Sequence, residues 1–296
     1  MSIKSNICVT SYNSTGFGTA VQSYVETLLL FSDILCIQEH FLQDSKDKKY
    51  SNTNKLRNKF SATNDMFIVP AYKENSQVSK GRGKGGLATL WHKSLTKYVS
   101  KVQCKNYRIQ ATKFTFPSGP FLVINSYFPG DPRSDNFNDT EILTLLTDIK
   151  LAITESNCHS VLLAGDLNCH FLRNNRFTNL VKNHLEEYGL VIFWENSAAY
   201  EDIENINYTH INIANQVPAF STIDHFAGSH QVMQAVAAAG VVHSGDNPSN
   251  HSAVYTKLKV GELNVAVENI KSDKRVNWAK ASDIAIENYK TTLAQN

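Results

Sequence analysis

Several short apolar runs in this chain stop on residues able to hold a cation or move a proton. Leu162-Leu163-Ala164 runs into Gly165-Asp166-Leu167-Asn168, Ile34-Leu35-Cys36-Ile37 into Gln38-Glu39, and Ser221-Thr222-Ile223 into Asp224-His225. Asn13 ends the run over residues 7–12, and Asn250-His251 stands just before a further apolar segment. A short strand that ends on a polar side chain delivers it to the carboxyl edge of its sheet, where α/β scaffolds place their chemistry. Carboxylates, amides and a histidine gathered at several strand ends suit hydrolysis assisted by a hard divalent cation, because such a cation takes oxygen ligands.

The bulk properties narrow the field. The chain has 296 residues, 42% of them hydrophobic, which is enough for a sizeable core. Its formal net charge is +2, so overall charge does not mark a nucleic-acid binder, and any basic binding face must be local. There is no apolar run of the roughly 18 residues a membrane span needs. The first residues lack the basic-then-apolar plan of a secretory signal, so an intracellular protein is expected. The five cysteines, at 8, 36, 104, 158 and 169, are expected to be unpaired. Cys158-His159 and Cys169-His170 have no common zinc spacing.

The elements that must position these residues follow from periodicity. Strands are expected over residues 3–12, 33–38, 66–72, 86–92, 98–103, 107–116, 121–127, 160–164, 223–228, 232–242 and 252–258. Helices are expected over 19–31, 139–155 and 177–187, where apolar residues recur every three or four positions. Pro117-Ser118-Gly119-Pro120 turns two strands into a hairpin. Residues 43–61 are lysine-rich and polar, a surface loop or weak helix. Many strands with helices between them imply two packed sheets with outer helices. After residue 260 the chain turns polar, so residues 1–260 are expected to form the domain. Residues 261–296 read as a linker or appendage with a short helix over 283–293.

The ordered blocks Ser11-Tyr12-Asn13, Gln38-Glu39, Asn125-Ser126-Tyr127-Phe128-Pro129, Gly165-Asp166-Leu167-Asn168, Ser221-Thr222-Ile223-Asp224 and Asn250-His251-Ser252 resemble those of the endonuclease/exonuclease/phosphatase superfamily. The resemblance implies the DNase I-like fold, a four-layered α/β sandwich of two mostly antiparallel sheets flanked by helices. Within the superfamily the chain is most similar to the endonuclease domain of non-LTR retrotransposon polyproteins. Three segments carry that likeness. They are Gln38-Glu39-His40-Phe41-Leu42, the glycine-rich Gly81-Arg82-Gly83-Lys84-Gly85-Gly86, and Tyr208-Thr209 followed by a loop and Ser221-Thr222-Ile223-Asp224. The glycine-rich segment lacks the Lys-Ser/Thr ending of a P-loop. The tail with Arg275-Val276-Asn277-Trp278 is similar to the spacer before a reverse transcriptase, which this chain does not contain.

The resemblance implies roles. Glu39 is the principal carboxylate for Mg²⁺, with Mn²⁺ as a substitute, and Asn13 and Asn250 complete the metal set. Asp166 orients or deprotonates the attacking water, and Asn168 positions water and phosphate. Tyr127 contacts the phosphate, and His251 faces it while Asp224 fixes its tautomer. Thr209, Ser221, Arg82 and Lys84 contact the DNA. The implied protein is a monomeric endonuclease domain of a longer polyprotein that acts in the nucleus, away from any membrane. It nicks one DNA strand and leaves a 3′-hydroxyl for target-primed reverse transcription. Apurinic-site repair, inositol or sphingomyelin phosphodiester hydrolysis, and an inactive nucleic-acid-binding remnant are the other readings. The chain departs from the family pattern at Asn250, where an Asp is usual, and at Gly130, where an Asn is usual.

Overall fold

The computed structural model describes residues 5–44, 52–72, 83–130, 139–199, 201–214 and 216–263. The strands are β1 (Asn6–Asn13), β2 (Ile34–Gln38), β3 (Asn64–Val69), β4 (Leu87–His92), β5 (Val99–Val102), β6 (Ile109–Phe116), β7 (Gly119–Tyr127), β8 (Ser160–Asp166), β9 (Val191–Ile192), β10 (His210–Ala214), β11 (Val217–Ser221), β12 (Asp224–Gly228), β13 (Val236–Val242) and β14 (Ala253–Lys259). The helices are α1 (Thr19–Leu29), α2 (Asn54–Phe60), α3 (Thr140–Ser156), α4 (Arg176–Glu187) and the short α5 (His230–Ala235). One six-stranded sheet has the order β13-β14-β1-β2-β4-β3, and a second has the order β5-β6-β7-β8-β12-β9. Among the described strands, β1–β2 and β7–β8 pair in parallel and the other strand pairs are antiparallel.

Alternation along the strands makes the layers. Ile7, Val9, Ile34, Cys36, Phe121, Val123, Leu162 and Ala164 fill the space between the two sheets. The opposite face of the first sheet, with Tyr12, Leu35 and Ile37, packs on Val21, Val25 and Leu28 of α1 and on Leu56 and Phe60 of α2. The outer face of the second sheet packs on Ile142, Leu145, Leu146 and Ile149 of α3 and on Phe177, Val181 and Leu185 of α4. The result is the four-layered α/β sandwich the resemblance implies.

One expectation changes. Residues 232–242 are not one strand: α5 takes the first part, with Met233 N–H donating to Ser229 O at 2.9 Å, and β13 takes the rest. Its unbroken apolar run buries Val232, Met233 and Ala235 equally well in a helical turn, so periodicity could not separate the two. The weak helix within 43–61 is α2, anchored by Leu56 and Phe60. Packing also continues past residue 260, because Val260 and Leu263 are buried with the inter-sheet core and one unit spans Met1–Asn264. The expected helix over 283–293 lies outside the described residues. None of the five cysteines is in a disulfide.

Candidate active site

The inward-facing side chains turn from apolar to polar along each central strand: Ile7, Val9, Ser11, Asn13 on β1; Ile34, Cys36, Gln38 on β2; Phe121, Val123, Asn125, Tyr127 on β7; Leu162, Ala164, Asp166 on β8. Parallel pairing brings those polar ends to one edge. In the second sheet Tyr127 pairs with Asp166, and Asp166 with Asp224, so three functional groups stand in one row across neighbouring strands. In the first sheet Asn13 pairs with Gln38, and Glu39 follows directly. Gly165 makes the close approach possible. Its φ is +150°, and a Cβ there would lie 1.9 Å from the Ser126 carbonyl oxygen, so only glycine fits before Asp166.

Asn13 joins the two rows. Its Nδ2 donates to Asp166 Oδ2 at 2.9 Å and to Glu39 Oε2 at 3.0 Å, while its Oδ1 accepts from Thr15 N–H. Glu39 sits on a left-handed turn, with φ +54° at Glu39 and +58° at Phe41. The turn is held by Phe41 N–H donating to Gly85 O and by Leu42 N–H donating to the buried His40 Nδ1. The Tyr127 ring lies against Gly85 beside this turn. On the other flank His251 Nδ1 meets Asp224 Oδ2 at 2.9 Å and Oδ1 at 3.2 Å. Thr209 Oγ1 accepts from the N–H groups of Ile223 and Asp224, each at 3.0 Å, which fixes the start of β12. Asn247 Nδ2 donates to His251 O, and Ser249 Oγ to Asn13 O, tying the His251 loop to the end of β1.

The site holds an excess of negative charge. Burial, and next the Asp224 carboxylate, push the Asp166 carboxyl up to about 7, against the pull of His251. Burial works against a charged His251. The Asp224 carboxylate and its hydrogen bond, with Asp166 and Glu39 beyond, outweigh it and hold the imidazole at about 9. Burial first, and then Glu39, raise the Tyr127 phenol. Asp166, Asp224 and His251 bring ligand atoms within 4.8 Å of one another, close enough to hold a metal ion.

A profile of the Endonuclease/Exonuclease/phosphatase family matches residues 11–251, from the strand that ends at Asn13 to His251 itself. The chain belongs to this family. No curated protein sequence matches it. Among solved structures, the endonuclease domain of TRAS1, a telomere-specific non-LTR retrotransposon, is similar over 86% of this chain and 99% of its own, with a TM-score of 0.59 and 13% identity. The AP endonuclease LMAP from Leishmania major is similar over 86% and 88%, with a TM-score of 0.61 and 12% identity. The catalytic domain of Xenopus laevis APE2 is similar over 86% and 92%, with a TM-score of 0.62 and 17% identity. At these identities the likeness is one of fold.

The structure brings six residues of the family blocks together: Asn13, Glu39, Tyr127, Asp166, Asp224 and His251. Asn168 joins them with φ +50°, its N–H on Asp166 Oδ1 and its Nδ2 on Phe128 O, both at 2.9 Å. The two asparagines assigned to the metal make other contacts. Asn13 turns its nitrogen, not its oxygen, toward Glu39 and Asp166. Asn250 is exposed, and its Nδ2 meets His210 Nε2 at 2.9 Å. Of the three residues assigned to the cation, only Glu39 offers carboxylate oxygen. Thr209 is fully buried beneath Asp224, and Ser221 Oγ meets His210 Nδ1 at 3.1 Å. Lys84 is exposed at the foot of the glycine-rich segment, its main chain paired with Tyr72; Arg82 lies outside the described residues.

Sequence reasoning missed two groups. The His210 ring lies 4.5 Å from that of His251 and links Asn250 to Ser221. Its place directly after Thr209 in a functional block was the available signal. Asn125 was read as part of a block and given no role. It is buried between the sheets, where its Nδ2 donates to Ile37 O and Ala88 O and its Oδ1 accepts from Gln38 Nε2.

Proposed function

We propose that this protein is a divalent-cation-dependent DNA endonuclease of the retrotransposon type. On this reading it cuts one strand, leaves a 3′-hydroxyl for target-primed reverse transcription, and works in the nucleus as part of a longer polyprotein. The observation that carries the hydrolytic reading is the convergence of Glu39 and Asp166 on the single amide of Asn13, beside the Asp224–His251 pair. The retrotransposon reading is supported by the block Gln38-Glu39-His40-Phe41-Leu42 and by the β10–β11 hairpin between Thr209 and Ser221. Ile213, Val217 and Phe220 on that hairpin are 71%, 66% and 51% exposed, a surface suited to a DNA groove.

The donor set suits a hard cation. Glu39, Asp166 and Asp224 supply oxygen, and His251 beside them is held charged on Asp224, so it is a poor ligand. Glu39 would hold the ion, with the charge of Asp166 beside it. A bound Mg²⁺ or Mn²⁺ would neutralise phosphate charge and polarise the P–O bond.

The chain's own residues do the rest. Asp166, bound to Asn13 Nδ2 and Asn168 N–H, takes the proton of a water aligned with the phosphate. A carboxyl whose pKa is held near neutrality matches that task better than an ordinary Asp. His251 donates to the phosphate and stabilises charge as it develops, while Asp224 holds its other side. Tyr127, register-paired with Asp166, presents its phenol to the phosphate. Glu39→Ala should lower nicking by about 10²-fold or more, as expected for a preorganised electrostatic group. Chelation should abolish nicking, and added Mg²⁺ or Mn²⁺ should restore it. Near wild-type nicking by Glu39→Ala, or in chelator, would remove the cation assignment.

A further inference from the structure

Arg108 lies just before β6 and is only 8% exposed. Three tyrosine rings surround its guanidinium, with centroids 5.2 Å (Tyr127), 5.5 Å (Tyr107) and 5.9 Å (Tyr72) from Cζ. Nε donates to Glu141 Oε1 at 2.8 Å and Nη2 to the Tyr72 hydroxyl at 3.3 Å. Nη1 is buried without a hydrogen-bond partner among the described residues. A buried guanidinium that leaves a donor unused is costly, and an apolar side chain could fill the same box. Stability therefore does not account for the charge.

The contacts of Arg108 lead to the reacting groups. Its carbonyl oxygen accepts the N–H of Tyr127 at 2.9 Å, while its guanidinium covers the Tyr127 ring. Its other ring partner, Tyr72, exchanges main-chain hydrogen bonds with Lys84 at 3.1 and 3.0 Å. Next to Lys84, Gly85 packs against both Tyr72 and Tyr127, and its carbonyl accepts from Phe41 in the turn that carries Glu39. The two routes close a loop of contacts around the Glu39–Tyr127 pair.

We propose that Arg108 is a positioning residue for the hydrolysis, a cationic clamp that fixes the Tyr127 ring beside the turn that carries Glu39. A positive charge over a ring face attracts the ring beyond ordinary packing and leaves its hydroxyl free. The proposal rests on the phosphodiesterase reading of the site.

The test is a double-mutant cycle with a spectroscopic arm. Arg108→Met should lower kcat for plasmid nicking by about 10²-fold, the cost of a misplacement on the order of 1 Å at a reacting centre. KM for DNA should stay within about threefold of wild type, because the residue acts on the transition state rather than on binding. In a Tyr127→Phe background the same substitution should cost less than about threefold, since the group it acts through is gone. An equal loss in both backgrounds, or a loss confined to KM, would overturn the proposal. The second readout is ¹³C-tyrosine NMR, with the Tyr127 ring signal assigned by its disappearance in Tyr127→Phe. Arg108→Met should shift and sharpen that signal as the ring is freed, and an unchanged signal contradicts the clamp. If Arg108→Met does not fold, Tyr72→Phe takes its place under the same criteria. A wild-type protein that fails to nick refutes the phosphodiesterase reading, while the NMR arm still decides the role of Arg108.

Discussion

The two ends of the space between the sheets are built by the same strands and differ in kind. At one end Phe114, Phe116 and Phe121 lie with ring centroids 5.9–6.5 Å apart, packed with Ile7 and Ile34. At the other, Gln38 Nε2 donates to Ser11 Oγ at 3.0 Å and to Asn125 Oδ1 at 2.8 Å, and the Glu39 carboxylate follows one residue on. Progress along a strand thus carries the interior from burial that stabilises to burial that perturbs ionisation. Stability and reactivity are separated along the strand axis, so substitutions at the two ends should have opposite signatures.

The largest effect is expected at the polar end. Asp166→Asn should lower nicking by about 10³-fold, within the range for loss of a group that acts in the transition state. Its melting temperature should be unchanged or higher, because the fold already disfavours the charged carboxylate. A parallel loss of rate and stability would blur the two ends. Phe121→Ala should show the reverse, costing about 3–5 kcal/mol as a buried aromatic removed from a packed core. Denaturant titration would measure that loss, and kcat of the protein that remains folded should be unchanged.

Asn125→Leu lies between the two ends and should cost about 1–3 kcal/mol, because Gln38 loses an acceptor where water cannot reach. Its effect on nicking should exceed that of Phe121→Ala and fall well short of that of Asp166→Asn.

The smallest effect is a change in pH dependence. The folded pKa of His251 is raised from 6.5 to about 9, so its stabilising contribution is complete below about 6.5 and is lost as pH rises through 9. Asp166, raised from 3.8 to about 7, contributes in the same direction over a lower window. In chelator, the melting temperature of the wild type should fall more steeply between pH 6.5 and 9 than that of His251→Gln. Equal slopes would show that the Asp224–His251 pair does not hold the proton.

Much of this separation was legible in the sequence. Asp166 and Glu39 announced themselves because each ends an apolar strand, and strand direction alone sends both to one edge. Gly165 before Asp166 was legible as a motif, although its physical reason, the Ser126 carbonyl 1.9 Å from any Cβ, required the neighbouring strand. The directions of the Asn13 and Asn250 amides were not legible. An amide carries a donor and an acceptor on one group, and only its partners, Asp166, Glu39 and Thr15 in one case and His210 in the other, decide which end faces the site. Arg108 was hidden for a related reason. It precedes an ordinary strand, and its significance lies in three tyrosines that are far apart in sequence or give no periodic signal. The start of β13 was misread because a buried helical turn and a buried strand share one apolar pattern.

On the proposed reading, the polar end of the inter-sheet space cuts one DNA strand and leaves a usable 3′ end. Supercoiled plasmid incubated with the protein and Mg²⁺, then with a DNA polymerase and labelled nucleotides, tests it most directly. The account predicts Mg²⁺-dependent conversion to open circles whose nicks are extended without further treatment, and no conversion by Asp166→Asn. Plasmid left supercoiled by the wild type, or nicks that the polymerase cannot extend, would contradict it.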